Sequence, residues 1–119
     1  MKVTDAEWSV MEILWARERA ALKELTQALQ PVNGWNKNTV YTYLTRMEGK
    51  GLVEIDRSQE KPYAAAVSRE ECARQERDEL LTKVYGGATG DLIAAFLKES
   101  KISQKEIARL RSMLDDMEV

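Results

Sequence analysis

The stretch WNKNTVYTYLTRMEGKGLVE constrains the fold most, because its hydrophobic period changes from that of a helix to that of a strand. Val40, Leu44 and Met47 recur at i, i+4 and i+7, the spacing of one buried helical face. Gly51 suits the position just after a helix, and the following LVEIDRS alternates between two faces. These patterns predict a helix over about residues 37–50 that leads directly into a β-strand.

Two helices are predicted before this stretch. The sequence TDAE at residues 4–7 is a capping-box pattern, and the helix that it opens should run to about Ala16. A second helix is predicted over about residues 22–29 and should stop at Pro31, since the residue before a proline disfavours helical geometry. The segment ARERAA is predicted to be a polar connector, and PVNGWN a loop.

A β-hairpin and three further helices complete the predicted order. The segments LVEIDRS and PYAAAV predict the hairpin, over roughly residues 52–58 and 62–67. The first of the later helices begins with a capping-box pattern at Ser68 and should end at Gly86-Gly87. The second is predicted over about residues 91–99, and the third begins after Ser103. We therefore expect a mainly α chain with a small β wing, and a functional boundary between residues 1–67 and 68–119.

Composition narrows the classes of function. The 119 residues include no histidine and one cysteine, Cys72, which excludes a Cys/His zinc site or a histidine-based triad within one chain. The glycine-rich YGGATG lacks the lysine of a phosphate-binding loop. No enzyme activity, cofactor or metal is therefore expected. The chain has no apolar run of membrane-spanning length, and its single cysteine fits a reducing compartment, so a cytoplasmic protein without membrane insertion is predicted.

The polar side of the third helix is unusual because it is rich in threonine. At 100° per residue, the side opposite Val40 holds Asn38, Thr42, Thr45 and Arg46, with Thr39 on its flank. These side chains can bond base edges and phosphates, and none is acidic. Three helices followed by a hairpin is the order of a winged helix-turn-helix, whose third helix enters the DNA major groove. The pattern alone leaves three interpretations open: a DNA-binding head, an adaptor that binds protein through the same surface, or a scaffold with no assigned function.

Three segments resemble the BlaI/MecI/CopY family of penicillinase-type transcriptional repressors. They are DAEWSVMEILW, WNKNTVYTYLTRMEGKGLVE and the run from VYGG to RLRSML, and together they span nearly the whole chain. The pattern W-x-x-x-T-V-Y-T-x-L-x-R-x-x-x-K-G-L is the most specific part of the likeness. The resemblance implies a winged-helix head that binds a double-stranded operator dyad, and C-terminal helices that form a homodimer.

The resemblance also implies which residues contact the operator. Thr39, Thr42 and Arg46 match the family's contact helix directly, whereas Asn38 stands where relatives often have lysine. The predicted DNA-binding set is Trp35, Lys37, Asn38, Thr39, Thr42, Thr45, Arg46, Lys50, Arg57 and Lys61, the last two in a wing whose turn spans about residues 58–61. Alternatives stay open for three of these residues: packing for Trp35, an ion pair with Glu48 or Glu54 for Arg46, and a helix-terminal role for Lys50.

The C-terminal helices carry more apolar surface than three short helices can hide. The predicted dimerisation set is Leu80, Leu81, Val84, Tyr85, Leu92, Ile93, Phe96, Leu97, Ile107, Leu110 and Leu114, with a purely intramolecular core as the alternative. Family members are released from DNA by proteolysis at an Asn-Phe bond, which implies a membrane sensor metalloprotease as a partner. The matching pair here is Ala95-Phe96, so cleavage is an open expectation. The closing SMLDDMEV lacks the cysteines of the copper-responsive branch, and Cys72 alone is expected to be a small helical residue.

Overall fold

The computed structural model describes residues 2–99 and 101–117, and within them six helices and three short strands. In chain order these are α1 (Asp5–Arg17), β1 (Arg19–Ala20), α2 (Leu22–Asn33), α3 (Lys37–Gly49), β2 (Val53–Ile55), β3 (Tyr63–Ala65), α4 (Arg69–Tyr85), α5 (Thr89–Glu99) and α6 (Gln104–Asp116). The predicted mainly α chain with a small β wing is confirmed.

The chain divides into two compact units, Met1–Glu76 and Arg77–Val119, referred to below as the N-terminal and C-terminal units. The division falls inside α4. The functional boundary that the sequence suggests between residues 67 and 68 lies just before this helix and stays a prediction.

Helix α1 begins with the predicted capping box. The Glu7 amide donates to Thr4 Oγ1 at 3.2 Å, and the Thr4 amide donates back to Glu7 Oε1 at 2.9 Å. These two bonds satisfy amides that have no partner in the first turn of a helix. The apolar stripe of α1 buries Val10, Met11 and Leu14, whereas Trp8, Ile13 and Trp15 are only partly buried.

The predicted stop of the second helix at Pro31 is wrong, because α2 continues through this proline to Asn33. Proline removes one amide donor, but in the last turn the loss is confined to a single bond. Leu25 and Leu29 are fully buried on the same helix, so packing holds it in place. The helix ends at Gly34, whose φ of 68° is left-handed and whose amide donates to the Gln30 carbonyl at 2.9 Å.

The polar connector predicted for ARERAA is also wrong, since it contains β1. This strand pairs antiparallel with β3, with Arg19 opposite Ala64 and Ala20 opposite Tyr63, and the sheet order is β1-β3-β2. A strand of two residues has no readable period, and it exists because a strand far along the chain supplies its hydrogen bonds. The β2–β3 hairpin is confirmed, with strands shorter than expected.

The core of the N-terminal unit lies where α1, α2 and α3 meet the sheet. Val40, Leu44 and Met47 are fully buried, as the helical spacing predicted. Gly51, at φ 80°, takes the predicted left-handed position after α3, and Leu52 and Val53 then carry the core into the sheet. This packing fixes one side of α3 against the protein and turns the opposite side outward.

The C-terminal unit begins within α4 and continues through α5 and α6. The start of α4 and that of α6 match the predicted serine caps: the Glu71 amide donates to Ser68 Oγ, and the Glu106 amide to Ser103 Oγ, both at 3.1 Å. Across residues 77–99 and 101–117 no side chain is buried. No helix among the described residues is both long enough and apolar enough to span a membrane.

Candidate nucleic-acid interface and apolar C-terminal surface

The outward face of α3 is set by its buried stripe. Asn36 caps the helix by accepting a hydrogen bond from the Thr39 amide at 2.9 Å, so this residue, next to the predicted contact helix, has a structural role. The predicted residues Lys37, Asn38, Thr42, Thr45 and Arg46 are exposed, and Thr39 is partly buried on the flank. The structure therefore brings the predicted α3 side chains together on one accessible helix face.

A shallow depression of about 320 Å³ lies on this face, lined by Tyr41, Thr42, Thr45 and Arg46. Tyr41 is 43% exposed and was missing from the predicted set. Its position 100° from Val40 puts it at the border of the outward face, a signal that the sequence contained. The Thr42 hydroxyl donates to the Asn38 carbonyl at 2.9 Å, so its proton is used within the helix.

Arg46 is positioned by aromatic rings. Its guanidinium lies 5.3 Å from the centre of the Tyr43 ring, and Tyr43 stacks on Trp35 with centroids 4.2 Å apart and planes at 15°. Trp35 is partly buried against the core, so packing is the role that the geometry gives it. In the part of the chain that the structure describes, no carboxylate forms an ion pair with Arg46, which leaves its charge available.

Lys50 has a partner inside the protein. It caps the C-terminus of α3, its Nζ lies 2.6 Å from Glu7 Oε1, and it also donates to the Lys2 carbonyl at 2.8 Å. Glu7 is only 3% exposed. Burial alone would raise the pKa of Glu7, but Lys50 and Thr4 together hold it below the usual value. This pair ties the start of α1 to the end of α3, while contact between Lys50 and DNA stays a prediction.

The turn between β2 and β3 is ordered by one carboxylate. Asp56 accepts hydrogen bonds from the amide and hydroxyl of Ser58, at 3.1 and 2.6 Å, and from Gln59 Nε2 at 3.0 Å. These hydrogen bonds lower the pKa of Asp56 to about 2, and the bond from the Ser58 hydroxyl contributes most. The backbone closes the turn with a bond from the Asp56 amide to the Pro62 carbonyl at 2.8 Å.

The two predicted wing cations are both exposed but differ in their surroundings. Lys61 Nζ lies 3.5 Å from Glu24 Oε2, which Arg17 also approaches at 3.6 Å. Arg57 lies near the Tyr63 hydroxyl: burial raises the pKa of this hydroxyl, and the arginine opposes that shift. To contact DNA, the exposed Lys61 would have to leave its ion pair with Glu24 and bind a phosphate instead.

Strand β1 holds the base of this wing. Arg19 Nε donates to the Lys61 carbonyl at 2.8 Å, and its Nη2 donates to the Pro62 carbonyl at 2.9 Å. The sequence did not reveal this role because β1 itself was not predicted.

The predicted dimerisation residues of the C-terminal unit are all exposed or partly buried. Those exposed are Leu80, Val84, Ile93, Phe96, Leu97, Leu110 and Leu114, and those partly buried are Leu81, Tyr85, Leu92 and Ile107. A groove of about 430 Å³ between α5 and α6 is lined by Ile93, Leu97, Ile107, Leu110, Arg111 and Leu114. Met113 and Met117, absent from the predicted set, are also exposed, at 54% and 65%. The Ala95-Phe96 pair lies within α5.

The chain is similar to known proteins over nearly its full length. The penicillinase repressor family model matches residues 3–116. The methicillin resistance regulatory protein MecI of Mammaliicoccus sciuri is 29% identical over 117 residues, which cover 96% of this chain and 94% of MecI. The penicillinase repressor of Staphylococcus aureus is 26% identical over 118 residues, 98% of this chain and 94% of that protein.

Among solved structures, the transcriptional regulator Tm0710 from Thermotoga maritima aligns over 82% of this chain and 72% of its own, with a TM-score of 0.46 and 23% identity. The family model spans nearly the full length of the chain, from the capped first helix to the last helix. The chain belongs to the penicillinase repressor family.

Proposed function

We propose that this protein is a transcriptional repressor that binds a palindromic operator as a homodimer, with α3 of each copy in the major groove. The observation that carries the proposal is the outward face of α3, where Asn38, Thr42, Thr45 and Arg46 are exposed and none of them is acidic. The major groove is about 12 Å wide, enough to admit a helix with its side chains. Short side chains at these positions allow the helix axis to approach the bases closely.

Base contact and phosphate contact fall to different residues in this proposal. Arg46 carries a charge without an ion-pair partner in the described part of the chain, and its planar fork suits the two acceptors of a guanine edge. Lys37, at the first turn of α3, and Arg57 and Lys61, in the wing, are exposed cations suited to phosphates. Lys50 contributes indirectly, by holding the end of α3 against α1.

The homodimer is supported by the apolar surface of the C-terminal unit. Leu97 is 52% exposed and Leu114 is 65% exposed, both beside the groove between α5 and α6. Contiguous apolar patches of this kind mark interfaces. A second copy related by a two-fold axis would cover the same surface on both chains. Two heads related by that axis match a pseudo-palindromic operator with half-sites about one helical turn, or a multiple, apart.

Release from DNA is proposed to follow proteolysis of the C-terminal unit, by a membrane sensor metalloprotease acting at Ala95-Phe96. Phe96 is 55% exposed, but the bond lies within α5, so the helix must open locally before a protease can bind it in an extended form. With no buried side chain in residues 77–99 and 101–117, such opening is cheap in a single copy. Cleavage would remove α6 and thereby one wall of the groove.

The test is Arg46→Ala measured by fluorescence anisotropy on an operator selected in vitro, with Arg74→Ala as the matched control. Both arginines are exposed cations on helices, but Arg74 lies on α4, outside the proposed interface. If Arg46 makes a bidentate base contact, its loss should cost about 1–3 kcal/mol of binding free energy and relax specificity at one base pair. The control should bind as the wild type does. Equal affinities for both variants and the wild type would reject the assigned face.

Salt dependence distinguishes this function from the adaptor alternative. If each head neutralises about three phosphates, the plot of log K against log[salt] for the dimer should have a slope of about −5. A footprint without a dyad would contradict paired heads. Failure to select any DNA sequence above background would instead favour a winged helix that binds protein.

A further inference from the structure

We propose that the depression on α3 is a contact site for the C5-methyl group of a thymine, and that Thr42 therefore reads the operator through its methyl group and not its hydroxyl. The proposal rests on the proposed DNA-binding function and adds a base identity to it. The depression is lined by Tyr41, Thr42, Thr45 and Arg46, all within one stretch of the outward face.

The hydrogen bonding of Thr42 changes what this side chain can offer. A threonine hydroxyl has one proton to donate. In Thr42 that proton goes to the Asn38 carbonyl at 2.9 Å, one turn back along the helix. The hydroxyl can then still accept a hydrogen bond but has no proton to donate to the O4 acceptor of a thymine, so the methyl group is the part of this side chain that suits a thymine edge. The sequence alone suggested a hydrogen-bonding threonine, and the structure favours an apolar contact at the same position.

The neighbours of Thr42 complete an apolar lining. The Tyr41 ring is 43% exposed, a high value for an aromatic side chain with no other ring stacked on it among the described residues. Thr45 adds a second methyl group, and Arg46 borders the depression while its guanidinium is held over Tyr43. The thymine methyl is the one apolar group that base edges present in the major groove, and threonine methyl groups are among its usual partners.

The position of Arg46 predicts where this thymine lies. Residues 42 and 46 are four residues apart, about 6 Å along the helix axis, and successive base pairs are about 3.4 Å apart. The thymine should therefore lie within about two base pairs of the contact made by Arg46. Since the operator is read by two heads, the same thymine should recur in each half-site.

The first experiment replaces thymines of a selected operator one at a time with uracil, which removes only the methyl group. At one position per half-site, affinity should fall about fourfold, equivalent to about 0.8 kcal/mol for one buried methyl group. Substitution at the remaining thymines should have little effect. If no position responds to uracil, the proposal is overturned.

The second experiment separates the two chemical groups of Thr42. Thr42→Val keeps a methyl group in place and removes the hydroxyl, whereas Thr42→Ser keeps the hydroxyl and removes the methyl. We expect Thr42→Val to bind within twofold of the wild type. Thr42→Ser changes both heads of the dimer, so it should lose about fifteenfold on the thymine operator, the value of two buried methyl groups, and show no further loss on an operator with uracil at this position in both half-sites.

The outcomes distinguish this inference from the function on which it rests. A large loss in Thr42→Val with full binding by Thr42→Ser would show that the hydroxyl does the reading, and would overturn the methyl contact while leaving DNA binding intact. If no DNA sequence can be selected above background, the proposed function itself fails. Thermal unfolding of both variants checks that α3 is unchanged, and position 42 is exposed, so both should fold.

Discussion

The N-terminal and C-terminal units contain similar apolar residues but use them differently. In the N-terminal unit Met11, Leu25 and Leu44 are fully shielded from solvent. In the described residues of the C-terminal unit no side chain is buried, and Leu97 and Leu114 are more than half exposed. The first unit closes a core within one chain. The second leaves most of its large apolar side chains exposed, and this is the strongest structural reason to expect a partner copy.

The two units also differ in how deeply their ion pairs are buried. The N-terminal unit has a carboxylate that is almost fully buried, Glu7, tied to Lys50 at 2.6 Å. The ion pair of α6, Arg109 with Glu106, spans 3.9 Å with both side chains mostly exposed. A buried pair whose partner is removed is costly, whereas an exposed pair contributes little. We therefore expect the N-terminal unit to stay folded without a partner.

The largest effect should come from removing the end of α5 and all of α6, which carry much of the exposed apolar surface. A fragment ending at Ala95 should keep its N-terminal fold, become monomeric and bind the operator about 10²–10⁴-fold more weakly, since two unlinked heads lose the advantage of effective concentration. Sedimentation and gel shift on this fragment measure both properties. A fragment that stays dimeric with full affinity would contradict the proposal that the C-terminal unit forms the dimer.

A pair of leucine substitutions sharpens the comparison. Leu44→Ala, in a closed core, should lower the free energy of unfolding by about 2–5 kcal/mol at every protein concentration. Leu97→Ala, on the exposed surface, should act mainly on dimerisation, so its effect on the melting temperature should depend on concentration. Thermal melts over a hundredfold range of concentration test this. The same concentration dependence in both variants would contradict the distinction.

A smaller effect is expected for the buried carboxylate. Glu7→Gln leaves Lys50 without its ion pair and should cost about 1–3 kcal/mol of unfolding free energy. The control, Glu106→Gln, removes an exposed pair and should cost less than about 1 kcal/mol. Chemical denaturation at pH 7 measures both. Equal costs would mean that the Glu7 pair is as solvated as the one on α6.

The pH dependence of the Glu7 effect follows from its lowered pKa. Because the folded protein holds this pKa below the usual value of 4.5, the stabilisation is complete above pH 4.5 and is lost as the pH falls through the folded pKa. The difference between the wild type and Glu7→Gln should therefore shrink as the pH falls below about 4.5. A difference that stays constant over this range would show that the negative charge of Glu7 does not stabilise the folded protein.

The smallest effect concerns the wing. The pKa of Asp56 is about 2 in the folded chain, against an ordinary 3.8, so its hydrogen bonds to Ser58 persist above pH 3.8 and are lost as the pH falls toward 2. The Ser58 amide resonance should titrate with a midpoint near pH 2, and Asp56→Asn should abolish the step. A midpoint near pH 4 would mean that the turn is not held by this carboxylate.

The helical faces could be predicted because they are local patterns. The spacing of Val40, Leu44 and Met47 identified the buried side of α3, and so placed Thr42 and Arg46 on its outward side. The capping box of α1 and the Gly51 position were likewise readable, because such signals depend on neighbours in the chain. The identity of the family was also accessible, since its motif lies in one continuous stretch.

Tertiary structure decided the features that depend on distant partners. Strand β1 exists because β3 pairs with it, and α2 runs through Pro31 because its buried leucines outweigh one lost hydrogen bond. The Lys50–Glu7 pair joins residues 43 positions apart, which no local pattern reveals. The bond from the Thr42 hydroxyl to the Asn38 carbonyl, which uses the only proton of that hydroxyl, required coordinates. Sequence periodicity determines which side of a helix is buried. Only the packed structure shows which hydrogen bonds the exposed groups already make within the protein.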